Sequence, residues 1–178
     1  MTVIETEIKG LKIIKNFYAA DDRGSFTKLY NNELFDKLGL EFAIREQYYS
    51  VSDKDVVRGM HFQTPPHDHH KLVHVIKGSV MDVVLDLRKS SETYGKAKSF
   101  LLNANEPVSL YIPKGFAHGF RSLEDGTIML YNVSTGYAKD NDCGIKWDTI
   151  GFDWGITDPV ISARDSAFPS LDEFVSPF

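Results

Sequence analysis

The chain has 178 residues, 42% of them apolar and 12% aromatic, and a formal net charge of −5. Such a length and apolar content suit one globular domain over residues 1–178 with a core of its own. The acidic balance and the lack of a basic run exclude nucleic acid or an anionic membrane surface as the main partner, while local Arg and Lys can still hold a small anion.

The N-terminus, M-T-V-I-E-T-E-I-K-G, has no cationic segment followed by an apolar stretch, and no apolar run approaches the roughly 20 residues of a spanning helix. Leu11 to Phe17 is a short apolar run that ends at the turn cluster Asp21-Asp22-Arg23-Gly24, and Ser25 to Tyr30 resumes as strand, which predicts a β-ribbon. Asn32 is placed to cap a helix over Glu33 to Leu38, stopped by Gly39. Phe42 to Ser52 reads as strand. Val56-Val57 leads into Arg58-Gly59-Met60-His61-Phe62, and Leu72 to Ile76 is a second strand, with Pro65-Pro66 interrupting between them. Lys71 opens the row that Val73 and Val75 continue. From Ser79 to Leu87, Met81, Val83, Leu85 and Leu87 alternate with Val80, Asp82, Val84 and Asp86, the pattern of a half-buried strand. Short strands over Lys96–Leu102, Val108–Ile112, Phe116–Ser122 and Thr127–Ser134 follow. The single Cys143 rules out an intrachain disulfide and suits a reducing compartment, the cytoplasm. Beyond Trp147 the chain reads as irregular, with a helical turn near Ser170–Glu173. About ten short strands and almost no helix predict an all-β sandwich or barrel.

Four of the six histidines (His67, His69, His70 and His74) crowd into eight residues, which raises a metal site first. Pro113-x-Gly115-x-x-His118 has the form of the second metal motif of cupins. In the first motif, however, Lys71 occupies the place of the anionic ligand, and an ammonium repels a divalent ion. No resident metal is expected, and His67, His69 and His70 read as a solvated loop. Without a metal, proton chemistry needs a base, an acid and something to stabilise an oxyanion. His61 is a natural base because imidazole titrates near neutrality. Taken alone, His61 and Tyr131 are as readily packed core residues.

A set of motifs goes further: Asp22-Arg23-Gly24-x-Phe26, Arg58-Gly59-Met60-His61-Phe62-Gln63, Lys71-Leu72-Val73, Asp82 to Arg88, Ile112-Pro113-x-Gly115-Phe116-Ala117-His118-Gly119-Phe120 and Ser162-Ala163-Arg164-Asp165. Through these the chain resembles the dTDP-4-dehydrorhamnose 3,5-epimerase family, metal-free cupins acting on nucleotide-linked 4-keto-6-deoxy sugars. The resemblance implies a double-stranded β-helix (jelly roll) and a homodimer. It also implies cofactor-free epimerisation at carbon 3, carbon 5 or both, in the synthesis of surface-polysaccharide precursors. His61 is then the base, Asp165 its orienting carboxylate, Tyr131 the acid and Lys71 the cation near the keto oxygen with His118 close by. Arg23 and Arg58 match residues that contact phosphate or sugar, and Tyr137 matches the aromatic that stacks on the nucleotide base.

The chain departs from the family at Lys28, where a glutamate is usual, and at Glu46-Gln47-Tyr48-Tyr49-Ser50, in place of Gln-x-Asn-x-Ser. Lys28, Glu46 and Tyr48 are therefore candidate nucleotide or sugar contacts, and dTDP, GDP and CDP stay open. A lysine only donates, so Lys28 favours cytosine or guanine over thymine, whose ring N–H needs an acceptor. A single-centre epimerase, a 3,4-ketoisomerase, a metal cupin and a non-catalytic binding module are the rival readings.

Overall fold

Strands dominate because β-branched and aromatic residues alternate with polar ones over short runs broken by Gly, Pro, Asn and Asp. The computed structural model describes all residues, Met1–Phe178. The chain runs through β1 (Thr2–Glu5), β2 (Lys12–Lys15), β3 (Phe17–Asp21), β4 (Gly24–Lys28) and helix α1 (Asn32–Lys37). It continues with β5 (Glu46–Ser52), β6 (Val57–Gln63), β7 (Lys71–Lys77), β8 (Ser79–Asp86) and β9 (Ala97–Asn103). The last elements are β10 (Val108–Ile112), β11 (Phe116–Ser122), β12 (Thr127–Val133), β13 (Asp142–Gly144) and helix α2 (Ala163–Ser166).

Two antiparallel sheets face one another. One has the order β1-β2-β10-β7-β12-β5 and the other β13-β6-β11-β8-β9, while β3 and β4 form a separate ribbon. The crossovers between sheets make this the jelly roll expected of a cupin. Between the sheets lie Val73, Val75, Leu110, Ile112, Met129 and Tyr131 from one side and Val80, Val84, Phe116 and Phe120 from the other. The C-terminal tail covers the outer face of the five-stranded sheet, burying Trp154 and Ile150 against Val83, Leu85 and Leu87. Helix α1 and the segment after it cover the other sheet, with Phe35, Leu40 and Phe42 on Leu72 and Tyr111.

Several expectations change in detail. The half-buried reading of β8 fails: the tail covers the second face, and both Asp82 and Asp86 are fully buried. The cap of α1 is Asn31, whose Oδ1 accepts from the Leu34 N–H at 3.0 Å, and Asn32 is the first helical residue, bonded instead to Tyr30 and Asp36. The ribbon is β3 with β4, because the run from Leu11 splits and its first half joins the main sheet. Strand pairing begins at Glu46 rather than Phe42, which packs under α1. Ser170–Glu173 is a hydrogen-bonded turn, and the tail's helix lies earlier, at Ala163–Ser166, capped by the Ser162 hydroxyl.

Candidate active site

Register sets the site. Within the antiparallel pairs, His61 lies directly opposite His118, and Tyr131 lies directly opposite Tyr48. Directly opposed side chains share a face, so β6 with β11 presents two imidazoles and β12 with β5 presents two phenols. The phenols stack at 4.8 Å and 17°, and His118 meets the Tyr131 ring edge-on at 6.1 Å. Lys71 follows the row of Val73 and Val75 and is buried at the end of β7, where its Nζ donates to the His61 carbonyl at 3.0 Å. One cleft results. Its inner part is walled by Tyr48, Ser50, Arg58, His61, Lys71, His118 and Tyr131. Its outer part shares Tyr48, His61 and Lys71 and adds Glu46, Gln63, His69, Tyr137, Asp142 and Arg164.

Two glycines allow this geometry. A Cβ on Gly119 would stand 2.7 Å from the Arg58 carbonyl oxygen and 2.8 Å from Met60 Sδ, and one on Gly59, at φ +134°, would stand 2.5 Å from Gly119 Cα. β6 and β11 therefore approach more closely between His61 and Arg58 than side chains would permit, and their register shifts there. Gly144, opposite His61 on β13, has no Cβ and so leaves room for Phe168, whose ring stands edge-on to His61 at 5.7 Å.

His61 Nε2 donates to Asp165 Oδ1 at 2.9 Å, and the other carboxylate oxygen accepts the Gly59 N–H at 3.1 Å. Burial disfavours the Asp165 charge, but the bonds from His61, Gly59 and Ser162 outweigh it and leave the carboxyl below its ordinary value. A carboxylate accepting at Nε2 leaves Nδ1 as the basic nitrogen. His118 Nε2 donates to Asp82 Oδ2 at 2.7 Å in a second, wholly buried pair. Burial holds the Tyr131 hydroxyl far above its usual range, with the Ser50 hydroxyl 3.4 Å away pulling the other way. Burial, with Glu46 and Asp142 nearby, pushes Tyr48 up to about 12. It draws Lys71 down to about 8, against Asp142 and Asp82, which favour the charge.

The structure thus gathers His61, Tyr131, Asp165, Lys71, Arg58, His118, Glu46, Tyr48 and Tyr137 in or beside one cleft. Arg58 is held by Ser52 Oγ and the Val51 carbonyl, both at 3.0 Å, and Glu46 accepts the Tyr137 N–H at 2.7 Å. Arg23 and Lys28 are not brought there: both lie exposed on the ribbon, with Arg23 paired to Asp21 at 2.5 Å. The solvated-loop reading holds for His67 alone. His69 and His70 are half-buried, His70 stacking on Tyr111 and bonding its hydroxyl at 2.7 Å. No group of three or more His, Cys, Asp or Glu side chains is arranged to hold a metal ion. Asp82, Asp142 and Arg164 were given no role from the sequence, and His69 was read as part of a solvated loop. Asp82 left one trace, a carboxylate set between Val80 and Val84 on a row that ends in Asp86, whereas the Arg164–Asp142 pair at 2.7 Å is purely tertiary.

Comparison with known proteins settles the lineage. The family description dTDP-4-dehydrorhamnose 3,5-epimerase matches residues 5–173. The chain belongs to this family. The Escherichia coli K12 dTDP-4-dehydrorhamnose 3,5-epimerase is 38% identical over 98% of this chain and 97% of its own. The crystal structure of the Bacillus anthracis enzyme, with TDP and pyrophosphate bound, superposes with a TM-score of 0.92 at 36% identity, covering 96% of this chain and 99% of its own. The Legionella pneumophila enzyme in complex with dTDP-4-keto-L-rhamnose gives 0.92 at 31%, covering 98% and 94%.

Proposed function

We propose that the protein inverts carbons 3 and 5 of a dTDP-linked 4-keto-6-deoxy sugar, using no cofactor, in the synthesis of surface-polysaccharide precursors. The observation that carries this reading is a hydrogen-bonded His61–Asp165 dyad and a buried, protonated Tyr131 on the walls of one cleft that Lys71 also lines.

A proton on a carbon beside a ketone is acidic only if the resulting enolate is stabilised. The Lys71 ammonium supplies that stabilisation in a site sheltered from water. His61 Nδ1 removes the proton, and Asp165 fixes the tautomer and supports the imidazolium that forms. Tyr131, from the opposite sheet, returns a proton on the other face of the sugar. Its raised pKa keeps it protonated until a carbanion, a strong base, is present. Arg58 and Arg164 lie along the same cleft and suit the pyrophosphate, and Tyr137, 64% exposed at the mouth, suits the nucleotide base. The dTDP reading is supported by the ligands of the two relatives and by the position of Lys28, which lies outside the cleft of its own chain.

The protein acts as a single cupin-type domain and as a homodimer in the cytoplasm. Large apolar side chains are exposed on the ribbon (Phe17, Tyr18, Phe26) and on edge strand β5 (Tyr49, Val51), which supports pairing with a second copy. No helix is long and apolar enough to cross a membrane. Incubation with dTDP-4-keto-6-deoxyglucose, followed by NMR of the product, tests the activity: the L-rhamno configuration is expected, and unchanged substrate contradicts it.

A further inference from the structure

Tyr48 stands where the family pattern has asparagine, on the edge strand β5 next to the strand that carries Tyr131. Register sets the two phenols directly opposite one another, and their rings lie 4.8 Å apart at 17°. Aromatic rings attract one another in such an offset stack, and a flat face laid on a flat face resists tilting. Polar contacts do little to fix the direction of the Tyr131 hydroxyl. It makes one hydrogen bond, 3.4 Å long, to Ser50 Oγ on the same edge strand, and His118 meets the ring only edge-on, at 6.1 Å. Tyr48 is the cover nearer the mouth: it lines both the inner and the outer part of the cleft, whereas Tyr131 lines the inner part alone. Tyr131 is accordingly 8% exposed beside a Tyr48 that is 42% exposed. An asparagine has no ring to lay on Tyr131.

We propose, resting on the epimerase reading, that Tyr48 is a positioning residue for the reaction: its ring, laid flat on Tyr131, holds that phenol at the angle from which the hydroxyl returns a proton to the sugar. A proton donor must be in reach and aligned when the carbanion forms, and a misplacement of about 1 Å can cost about 100-fold. Burial first, with Glu46 and Asp142 nearby, pushes the Tyr48 hydroxyl up to about 12. Tyr48 therefore stays neutral and sets no charge against the phenolate that Tyr131 becomes. Loss of the stack then has its own signature. His61 still removes the proton; its side chain, 30% exposed, trades that proton for deuterium from heavy water and returns deuterium to the starting face. Delivery by Tyr131 on the opposite face slows, so exchange outruns inversion.

Tyr48→Leu and Tyr48→Thr remove the flat face, while Tyr48→Phe keeps it and removes only the hydroxyl. Each is incubated with dTDP-4-keto-6-deoxyglucose in heavy water, and initial rates of deuterium incorporation and of inversion at carbons 3 and 5 are followed together by NMR. Expected for Leu and Thr are inversion rates down roughly 10- to 100-fold with total exchange down less than about threefold, so the ratio of exchange to inversion rises at least about threefold. Phe should recover most of the inversion rate and the parent's ratio. The parent's ratio in Leu and Thr, at whatever rate, would overturn the proposal, because general damage slows both processes alike. A Phe variant as impaired as Leu would overturn it too, since the hydroxyl and not the ring would then be the working part. Should Leu and Thr fail to fold, Tyr48→Met, which fills much of the volume without a flat face, carries the same expectation and the same refutation. A parent that neither exchanges nor inverts contradicts the epimerase reading itself; an active parent whose variants keep its ratio contradicts only the role of Tyr48.

Discussion

The Lys71 ammonium donates to the His61 carbonyl across 3.0 Å, so a contact between the two sheets ties the cation to the strand that carries the proposed base. Burial lowers Lys71 from 10.5 to about 8. Because the folded value lies below the unfolded one, the stability linked to this group is full only above the unfolded value and is lost as the pH falls through about 8. At neutral pH the protein holds a charge that destabilises it. Lys71→Met should therefore melt at a higher temperature than the parent at pH 7 while losing activity, and Lys71→Ala should lower kcat roughly 100- to 1000-fold. In the parent, kcat should fall as the ammonium is lost above pH of about 8. A rate that stays flat well beyond that pH would show that the charge is not used.

Base and acid separate by substitution. His61→Asn should abolish exchange of carbon-bound hydrogen at every position, since it removes the proposed base. Tyr131→Phe keeps the base and the cation, so it should retain measurable exchange yet fail to invert. Near-parent epimerisation by Tyr131→Phe would make Tyr131 a core residue only.

Gly119 predicts a mechanical effect. A methyl group there meets the Arg58 carbonyl, Met60 and Gly59, so β6 and β11 must part and carry Arg58, His61 and His118 with them. Gly119→Ala should cost about 1–3 kcal/mol of stability, as overpacking does, and should lose more activity than that destabilisation explains. Denaturant unfolding alongside kinetics separates the two effects; an unchanged midpoint would contradict the packing seen here.

Nucleotide preference follows from what lines the cleft. With Lys28 outside the cleft of its own chain, dTDP should bind roughly tenfold or more tightly than GDP or CDP, about the effect of one well-made hydrogen bond. Calorimetric titration of the three measures this, and tighter binding of GDP or CDP would return Lys28 to the base-recognition site.

Much of this was legible in the chain because its signals are local. Alternation marked β8 closely, the short runs Val108–Ile112 and Phe116–Ser122 matched β10 and β11, and the row Lys71, Val73, Val75 put the ammonium on one face with two valines, the face that proves to be the inner one. Long-range packing was not legible. That β8 is buried on both faces depends on a tail some seventy residues away. Asn31 and Asn32 are equally good caps by type, and only the turn geometry chooses between them. His69 looked like part of a solvated loop because the partner that fixes its ring, Gln63, lies on the far side of two prolines.

The central claim is that the His61–Asp165 dyad removes a proton from carbon beside a ketone. Incubating the parent enzyme with dTDP-4-keto-6-deoxyglucose in heavy water and following carbons 3 and 5 by NMR tests it most directly. Deuterium at both positions, absent in His61→Asn, is the predicted result; no incorporation at either carbon by a folded, dTDP-binding protein would contradict it.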